Sequence, residues 1–345
     1  MRFIVVKGWL IICLSLFVFW GCKVKEQIII VEEVKQYELF GLATGLGELA
    51  DRAYNDLLYN GMINSKMKLG IDFIYASPAN IDESKNTIQK LIDEGAKYII
   101  AGGGWHMVTP VDELARIYPE ILFVIIDDNA IEYLPNVASI LFKQNEASYL
   151  AGALAALHSK TNIIGMVGAI DRPIINDFWV GYLDGAKKVK PDIKVIKDYI
   201  QNYDINTSPF DNPNIAYEIA DRMYRRDNAD ILFQVASASG MGVFNAANDS
   251  NNFAIGVDSD QDHLVPGSIL TSVIKRIDLS IVMIIEAIVN DNFENKIYLL
   301  GLEENAVSLS NMEYTKDLID PAHLEIIRDL NQQIIEKKII VPTTF

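Results

Sequence analysis

An α/β protein built of two doubly wound, parallel-sheet lobes is what this sequence predicts, on three observations. Short apolar runs rich in Ile, Val, Phe and Leu alternate along the chain with stretches whose apolar residues recur at helical spacing. The runs are nearly continuous in hydrophobicity, as strands covered on both faces are. About ten such strands exceed what one doubly wound sheet holds comfortably, and 345 residues are enough for two domains with full cores.

The chain opens with Met1, Arg2 and Lys7, then runs uncharged from Gly8 to Trp20 before Gly21 and Cys22. The apolar run is short of the ~20 residues a membrane-spanning helix needs, and a small residue precedes the cysteine, so residues 1–21 read as a signal peptide. The segment resembles a bacterial lipoprotein signal with Cys22 as the lipidated residue, although Phe19 stands where that pattern usually has Leu. An uncleaved anchor or an ordinary secretory signal is the alternative. Cys13 would leave with the signal and Cys22 would carry lipid, which leaves no thiol for a disulfide, thiolate catalysis or a cysteine metal site. Losing Arg2 and Lys7 takes the formal charge from −16 to −18, a field that repels nucleic acid and anionic membrane surfaces.

Residues 22–37 read as a charged tether interrupted by Ile28 to Val31. A strand at Glu38 to Thr44, a turn bearing Gly45 and Gly47, and a helix with apolar Leu49, Ala53, Leu57 and Leu58 form the start of a βαβ unit. Strands follow at Gly70 to Tyr75, Tyr98 to Ala101, Leu122 to Ile126 and Val137 to Leu141, with a helix near Asp82 to Glu94. A long helix from Glu146 to Leu157 precedes a buried strand at Asn162 to Val167. Beyond it come a helix over Ile175 to Val189, a strand at Ile193 to Tyr199, a helix over Ile215 to Arg225 and a strand at Ala229 to Val235.

The stretch Ile255 to Gln261 draws attention as a site. An apolar strand there ends abruptly in Asp258, Ser259 and Asp260, and ligands of open α/β sheets sit beyond the carboxyl ends of strands. A solvated acidic turn is the competing reading. FVIIDD likewise ends in Asp127 and Asp128, which could serve acid–base catalysis or accept hydrogen bonds from a bound sugar. Gly102 to Gly104 lack the Lys-Ser/Thr ending of a phosphate loop, so close packing at a strand end is the preferred role, with Trp105 a candidate cleft wall. His106, His158, His263 and His323 show no metal-ligand spacing, and His158 reads as a cation at a helix C-terminus. Ser237 and Ser239 do not form a nucleophile elbow. Phe178 and Trp179 are core residues or a stacking platform.

Several stretches together resemble the basic membrane protein family of bacterial lipoproteins, similar to the purine nucleoside receptor lipoproteins of spirochaetes. They include LADRAYN (Leu49 to Asn55), FKQNEASYLAG (Phe142 to Gly152), DFWVGYLDGAK (Asp177 to Lys187), AIGVDSDQ (Ala254 to Gln261), LTSVIK (Leu270 to Lys275) and GLEEN (Gly301 to Asn305). The resemblance covers nearly the whole mature chain. It implies a type I periplasmic-binding-protein fold with three crossovers, near Phe142, Lys275 and Gly301. The N-terminal lobe would comprise 38–142 and 276–300, and the C-terminal lobe 143–275 and 301–345.

The resemblance also implies site residues. Asp258 and Lys275 match an acid and a base near the ribose, Asp127 a strand-end acid, and Phe178 an aromatic that covers the base. Tyr54 occupies a position usually held by Phe and Asn55 keeps the family's Asn. Two departures stand out: Gly45 replaces a common Asp, and Ser237 replaces the first glycine of an A-A-G run. Losing a carboxylate that bonds a purine edge costs about 1.5–3 kcal/mol or redirects selectivity. Asp258 and Lys275 are expected to balance each other across the cleft.

The implied function is that of a monomeric, lipid-anchored receptor of the cell envelope, facing the periplasm or the exterior, that hands a purine nucleoside to an ABC-type permease. No cofactor, metal or nucleic acid is expected. Two other classes stay open: a nucleoside hydrolase using Asp127, Asp128, Asp258 and Asp260, and a surface adhesin exploiting the acidic face.

Overall fold

The apolar runs become strands of two separate sheets, six strands in each. A computed structural model describes residues 4–6, 9–11, 37–203 and 208–345. In the unit formed by residues 1–36, β1 (Ile4–Val6) pairs antiparallel with β2 (Trp9–Ile11), Ile4 opposite Ile11. Cys13, Cys22 and the patch at Ile28 to Val31 lie outside the described residues, as does the tether up to Gln36. No helix among the described residues is long and apolar enough to cross a membrane.

In the unit from Tyr37 to Phe345, strand and helix take turns: β3 (Phe40–Ala43), α1 (Tyr54–Leu69), β4 (Phe73–Ala76), α2 (Ser84–Asp93), β5 (Tyr98–Ala101), α3 (Trp105–Ile117), β6 (Leu122–Ile126) and β7 (Val137–Phe142). The second sheet is then laid down by α4 (Gln144–His158), β8 (Ile163–Gly168), α5 (Pro173–Val189), β9 (Lys194–Tyr199), α6 (Pro213–Arg225), β10 (Ile231–Val235), α7 (Gly240–Ser250), β11 (Phe253–Asp258) and β12 (Ile269–Lys275). Helix α8 (Ile277–Val289) leads back to β13 (Ile297–Leu300) in the first sheet, and a turn leads to β14 (Val307–Leu309) in the second, ahead of α9 (Pro321–Ile335).

Strand order is β4-β3-β5-β6-β7-β13 in the first sheet, all parallel, and β9-β8-β10-β11-β12-β14 in the second. The chain changes sheets three times, after Phe142, Lys275 and Leu300. One strand departs from the wholly parallel sheets expected, because β14 runs antiparallel to β12. The parallel strands of both sheets end at the cleft described below. A chain leaving β13 there and entering the second sheet without an intervening helix must run away from the cleft, against β12.

Three local expectations are corrected. Helix α1 begins at Tyr54, so Leu49 and Ala53 precede it. The intervening loop holds Ala50 and Arg52 in left-handed backbone, at φ 69° and 57°, and the Asp51 carboxylate gathers the N–H groups of Ala53, Asn55 and Asp56. That carboxylate takes the place of a cap and delays the helix. Helix α3, interrupted in pattern by Pro110, was not expected. His158 does lie in the last turn of α4, but burial lowers its pKa, ahead of repulsion from His323 and Lys160, and its ring meets Phe253 edge-on at 5.0 Å. Desolvation there works against the helix dipole and disfavours the terminal cation expected at this position.

Helices α4 and α5 pack at backbone distance. A Cβ on Gly152, Gly181 or Gly185 would overlap a main-chain carbonyl of the facing helix. This contact fixes the height of α5, and with it Phe178, over the second sheet.

Candidate functional site

The carboxyl ends of β3, β5 and β6 in one sheet and of β10, β11 and β12 in the other converge on one cleft, which encloses about 690 Å³ of empty space including its mouth. Gly45, Tyr54, Asn55, Trp105, Asp127, Phe178, Ser237, Asp258 and Lys275 all line it. Asp128 and Trp179 do not: the Asp128 carboxylate accepts from Asn129 N at 2.7 Å, and Trp179 lies under Lys197, whose Nζ is 5.2 Å from the ring.

Asp127, Ser237 and Asp258 each follow or end a strand in left-handed backbone, with φ of 72°, 52° and 65°. A residue with a Cβ gives up on the order of 1–2 kcal/mol to sit there, Asp somewhat less. The turn swings each side chain off the sheet and into the cleft. Three strand-end residues around one cavity share this backbone, which makes the cavity the candidate site.

Lys275 organises the charge. Its side chain is 2% exposed, and Nζ lies 2.6 Å from Asp127 Oδ2 and 3.9 Å from Asp258 Oδ1. The pairing therefore differs from the expected one. Asp258 and Lys275 end neighbouring strands of the same sheet, so the ion pair that spans the cleft is Lys275 with Asp127. Three rings surround the ammonium, those of Tyr54, Phe142 and Phe178, with centroids 5.5, 5.4 and 5.5 Å from Nζ. Phe142 was missed by sequence reasoning because it reads as an ordinary end of a buried strand. Burial pushes the Asp258 carboxyl up to about 6; Lys275 pulls it down, and Asp127 and Asp51 add to the rise. Asp127 Oδ1 and Asp258 Oδ1 are buried with no hydrogen-bond partner.

The glycine run does not form an anion cradle. Gly102 N donates to Ala43 O, Gly103 N to the Tyr54 hydroxyl and Gly104 N to Ile126 O, at 2.8, 3.0 and 3.0 Å. All three N–H groups are spent inside the protein. Tyr54 thus finds the partner that its hydroxyl needs, and burial, with the charge of Asp127 next, raises its pKa well above the ordinary phenol value. The Asn55 amide is committed to the loop before α1: Oδ1 accepts from Gly45 N at 2.9 Å and Nδ2 donates to Leu46 O and Glu48 O. Asn55 shapes the wall and offers little to a ligand.

The mouth is bridged by the loop ahead of α1. Ser237 Oγ donates to Asp51 Oδ2 at 2.8 Å, Ser259 Oγ and Gln261 Nε2 donate to Arg52 O, and Arg52 reaches Met241 Sδ at 3.7 Å. Elsewhere Arg172 lies over the Trp105 ring, 4.4 Å from its centroid. Gln261 also holds the strand end itself, accepting from Val257 N and Gln234 Nε2, while Asp260 accepts from Asp262 N. Asp51 was legible only as part of a motif, and His106, a cleft-lining residue, only as a histidine without metal spacing. Ile174, Phe210 and Val235 complete an apolar wall.

Comparison with known proteins agrees with this fold. A family model described as Bmp, ABC transporter substrate-binding protein PnrA-like, matches residues 43–344. Basic membrane protein A2 of Borrelia garinii subsp. bavariensis is 30% identical over 304 residues, 86% of this chain and 86% of that protein. An uncharacterized lipoprotein of Pyrococcus abyssi is 27% identical over 288 residues, 80% of this chain and 69% of that one. The crystal structure of an ABC transporter system solute-binding protein from Aeropyrum pernix K1 matches with a TM-score of 0.80 at 23% identity, over 88% of this chain and 93% of that one. The likeness shows the type I periplasmic-binding arrangement of two α/β lobes.

Proposed function

The chain belongs to the Bmp family of PnrA-like ABC transporter substrate-binding proteins, and we propose that its cleft captures a nucleoside, a purine nucleoside by preference, for an ABC-type permease. A solute-binding protein holds its ligand without transforming it. One observation carries the choice of ligand. Among the described residues, the buried side-chain atoms of cleft-lining residues that have no hydrogen-bond partner are Asp127 Oδ1, Asp258 Oδ1 and His106 Nε2, and the two carboxylate oxygens can only accept when ionised. A ligand that satisfies them must be rich in O–H and N–H donors. Tyr54, Phe178 and Phe210 on the walls suit a flat ring. Lys275, the one lysine among the described cleft-lining residues, already has two carboxylates beside it, so a phosphate or carboxylate ligand would meet net negative charge. A nucleoside has the ribose hydroxyls, the flat base and the neutrality this arrangement favours.

Lipidation at Cys22 would anchor such a receptor to a membrane of the cell envelope, in line with the relative named a lipoprotein. The segments 38–142 with 276–300, and 143–275 with 301–345, are proposed as the two bodies that close on the ligand. Thermal unfolding of protein freed of bound small molecules tests the reading. A purine nucleoside at about 100 times its Kd stabilises by about 2.7 kcal/mol, roughly 4 °C in Tm for a chain of this size. If no nucleoside shifts the transition of the folded protein, while a sugar or amino acid does, the nucleoside reading is wrong.

A further inference from the structure

Among the described cleft-lining residues, His106 is the one besides the two carboxylates with a buried side-chain atom, Nε2, that has no hydrogen-bond partner. It is the second residue of α3, is 6% exposed, and lines the cleft. Its Nδ1 lies 2.8 Å from Ser84 Oγ, and Ser84 Oγ donates to Ile81 O at 2.7 Å. A serine hydroxyl has one hydrogen. The Nε2–H tautomer would need the Ser84 hydroxyl to turn from Ile81 O to His106 Nδ1; while its hydrogen stays on Ile81 O, the oxygen can only accept from His106, and the imidazole proton is placed on Nδ1. Nε2 is then a bare lone pair, buried and without a partner. Burial also lowers the ring's pKa to about 4, which keeps the ring neutral near physiological pH.

Close packing fixes where this lone pair sits. A Cβ on Gly103 would overlap His106 Nε2 and would also lie 2.9 Å from Gly45 Cα. The nitrogen therefore stands beside the part of the wall where Gly45 offers no side chain. The N–H groups of Gly102, Gly103 and Gly104 are bonded elsewhere, so the glycine run does not answer it.

Resting on the nucleoside reading, we propose that His106 Nε2 accepts a hydrogen bond from an N–H on the edge of the bound base and so selects bases that present a donor there. A base presenting a lone pair at that point would meet another lone pair and be rejected. Ser84 and Ile81 act as positioning residues, because they hold the tautomer that leaves Nε2 free.

The test compares nucleoside pairs that differ in one donor: adenosine with purine riboside, which lacks the exocyclic amine, and inosine or guanosine with their ring-nitrogen-methylated forms. In the wild-type protein, removing the donor that His106 reads weakens binding about tenfold or more. In His106→Leu the parent nucleoside binds about tenfold more weakly and the difference within the pair disappears, while the penalty for removing a ribose hydroxyl is unchanged. A pair difference that survives intact in His106→Leu overturns the proposal, and failure of every nucleoside to bind the wild type overturns the nucleoside reading beneath it. A measurement on the wild type covers the case in which the variant does not fold. In nitrogen-labelled protein, the His106 resonances should show an unprotonated Nε2 that shifts when nucleoside is added. A protonated Nε2, or one indifferent to ligand, contradicts the proposal.

Discussion

Replacing Asp258 with asparagine is expected to weaken nucleoside binding about 100-fold while making the ligand-free protein harder to unfold. Both effects come from one buried carboxylate. Asp258 is 7% exposed, its Oδ1 has no hydrogen-bond partner, and its ammonium neighbour is 3.9 Å away and closer to Asp127. An ionised carboxylate bonding ligand hydroxyls contributes about 1.5–3 kcal/mol per charge-assisted bond, which an amide of the same shape largely forfeits. Without ligand, the same charge is a burden. Its pKa rises from 3.8 to about 6 on folding, so the folded state holds the proton more tightly than the unfolded chain between those values. Keeping Asp258 ionised therefore costs stability above about pH 6, on the order of 2–3 kcal/mol, and the cost fades as pH falls toward 4. Asp258→Asn should thus be the more stable protein near pH 7.5 by urea unfolding, with the gap closing toward pH 4. Ligand affinity of the wild type should rise with pH through about 6 and level off above it, since binding favours the ionised form. An asparagine variant that binds as tightly as wild type would remove Asp258 from the ligand's contacts.

Lys275→Met is expected to destabilise the protein by about 3–5 kcal/mol, because it leaves two carboxylates of opposite lobes buried without their counter-ion. The lysine itself is 2% exposed and enclosed by Tyr54, Phe142 and Phe178, so water cannot readily replace it. Methionine fits among those rings, which assigns the loss to charge and not to a cavity. Combining the change with Asp127→Asn should recover more of the lost stability than combining it with Asp258→Asn, since Asp127 is the 2.6 Å partner and Asp258 the 3.9 Å one. Urea unfolding of the single and double variants measures this. If Lys275→Met unfolds at the wild-type midpoint, the ion pair across the cleft does not hold the lobes as described.

How much of this was legible in the chain depends on whether the information is local. Strands such as Leu122 to Ile126 announce themselves, because a strand buried on both faces must be apolar at every position. The strand-end acids Asp127 and Asp258 stood out for the same reason, as charges where an apolar run stops. Helix α3 escaped notice: it begins after three glycines and carries Pro110 inside. The start of α1 was placed too early because Leu49 and Ala53 fit the helical spacing, whereas the Asp51 carboxylate draws the backbone into a loop. Nothing in the order of residues says that Lys275 reaches Asp127, 148 positions away, before its strand neighbour Asp258. The same holds for His106. Its missing metal spacing was visible, but its tautomer depends on Ser84, a residue of the preceding helix, and only packing brings the two together.

The most direct test is titration calorimetry of ligand-free protein with a nucleoside and with its monophosphate, side by side. A cleft whose lysine is compensated and whose unpartnered carboxylate oxygens are acceptors predicts tight binding of at least one of adenosine, guanosine and inosine. It predicts binding of the monophosphate at least about 100-fold weaker, as added negative charge meets Asp127 and Asp258. Equal or tighter binding of the monophosphate would contradict an acceptor-lined, anion-excluding site.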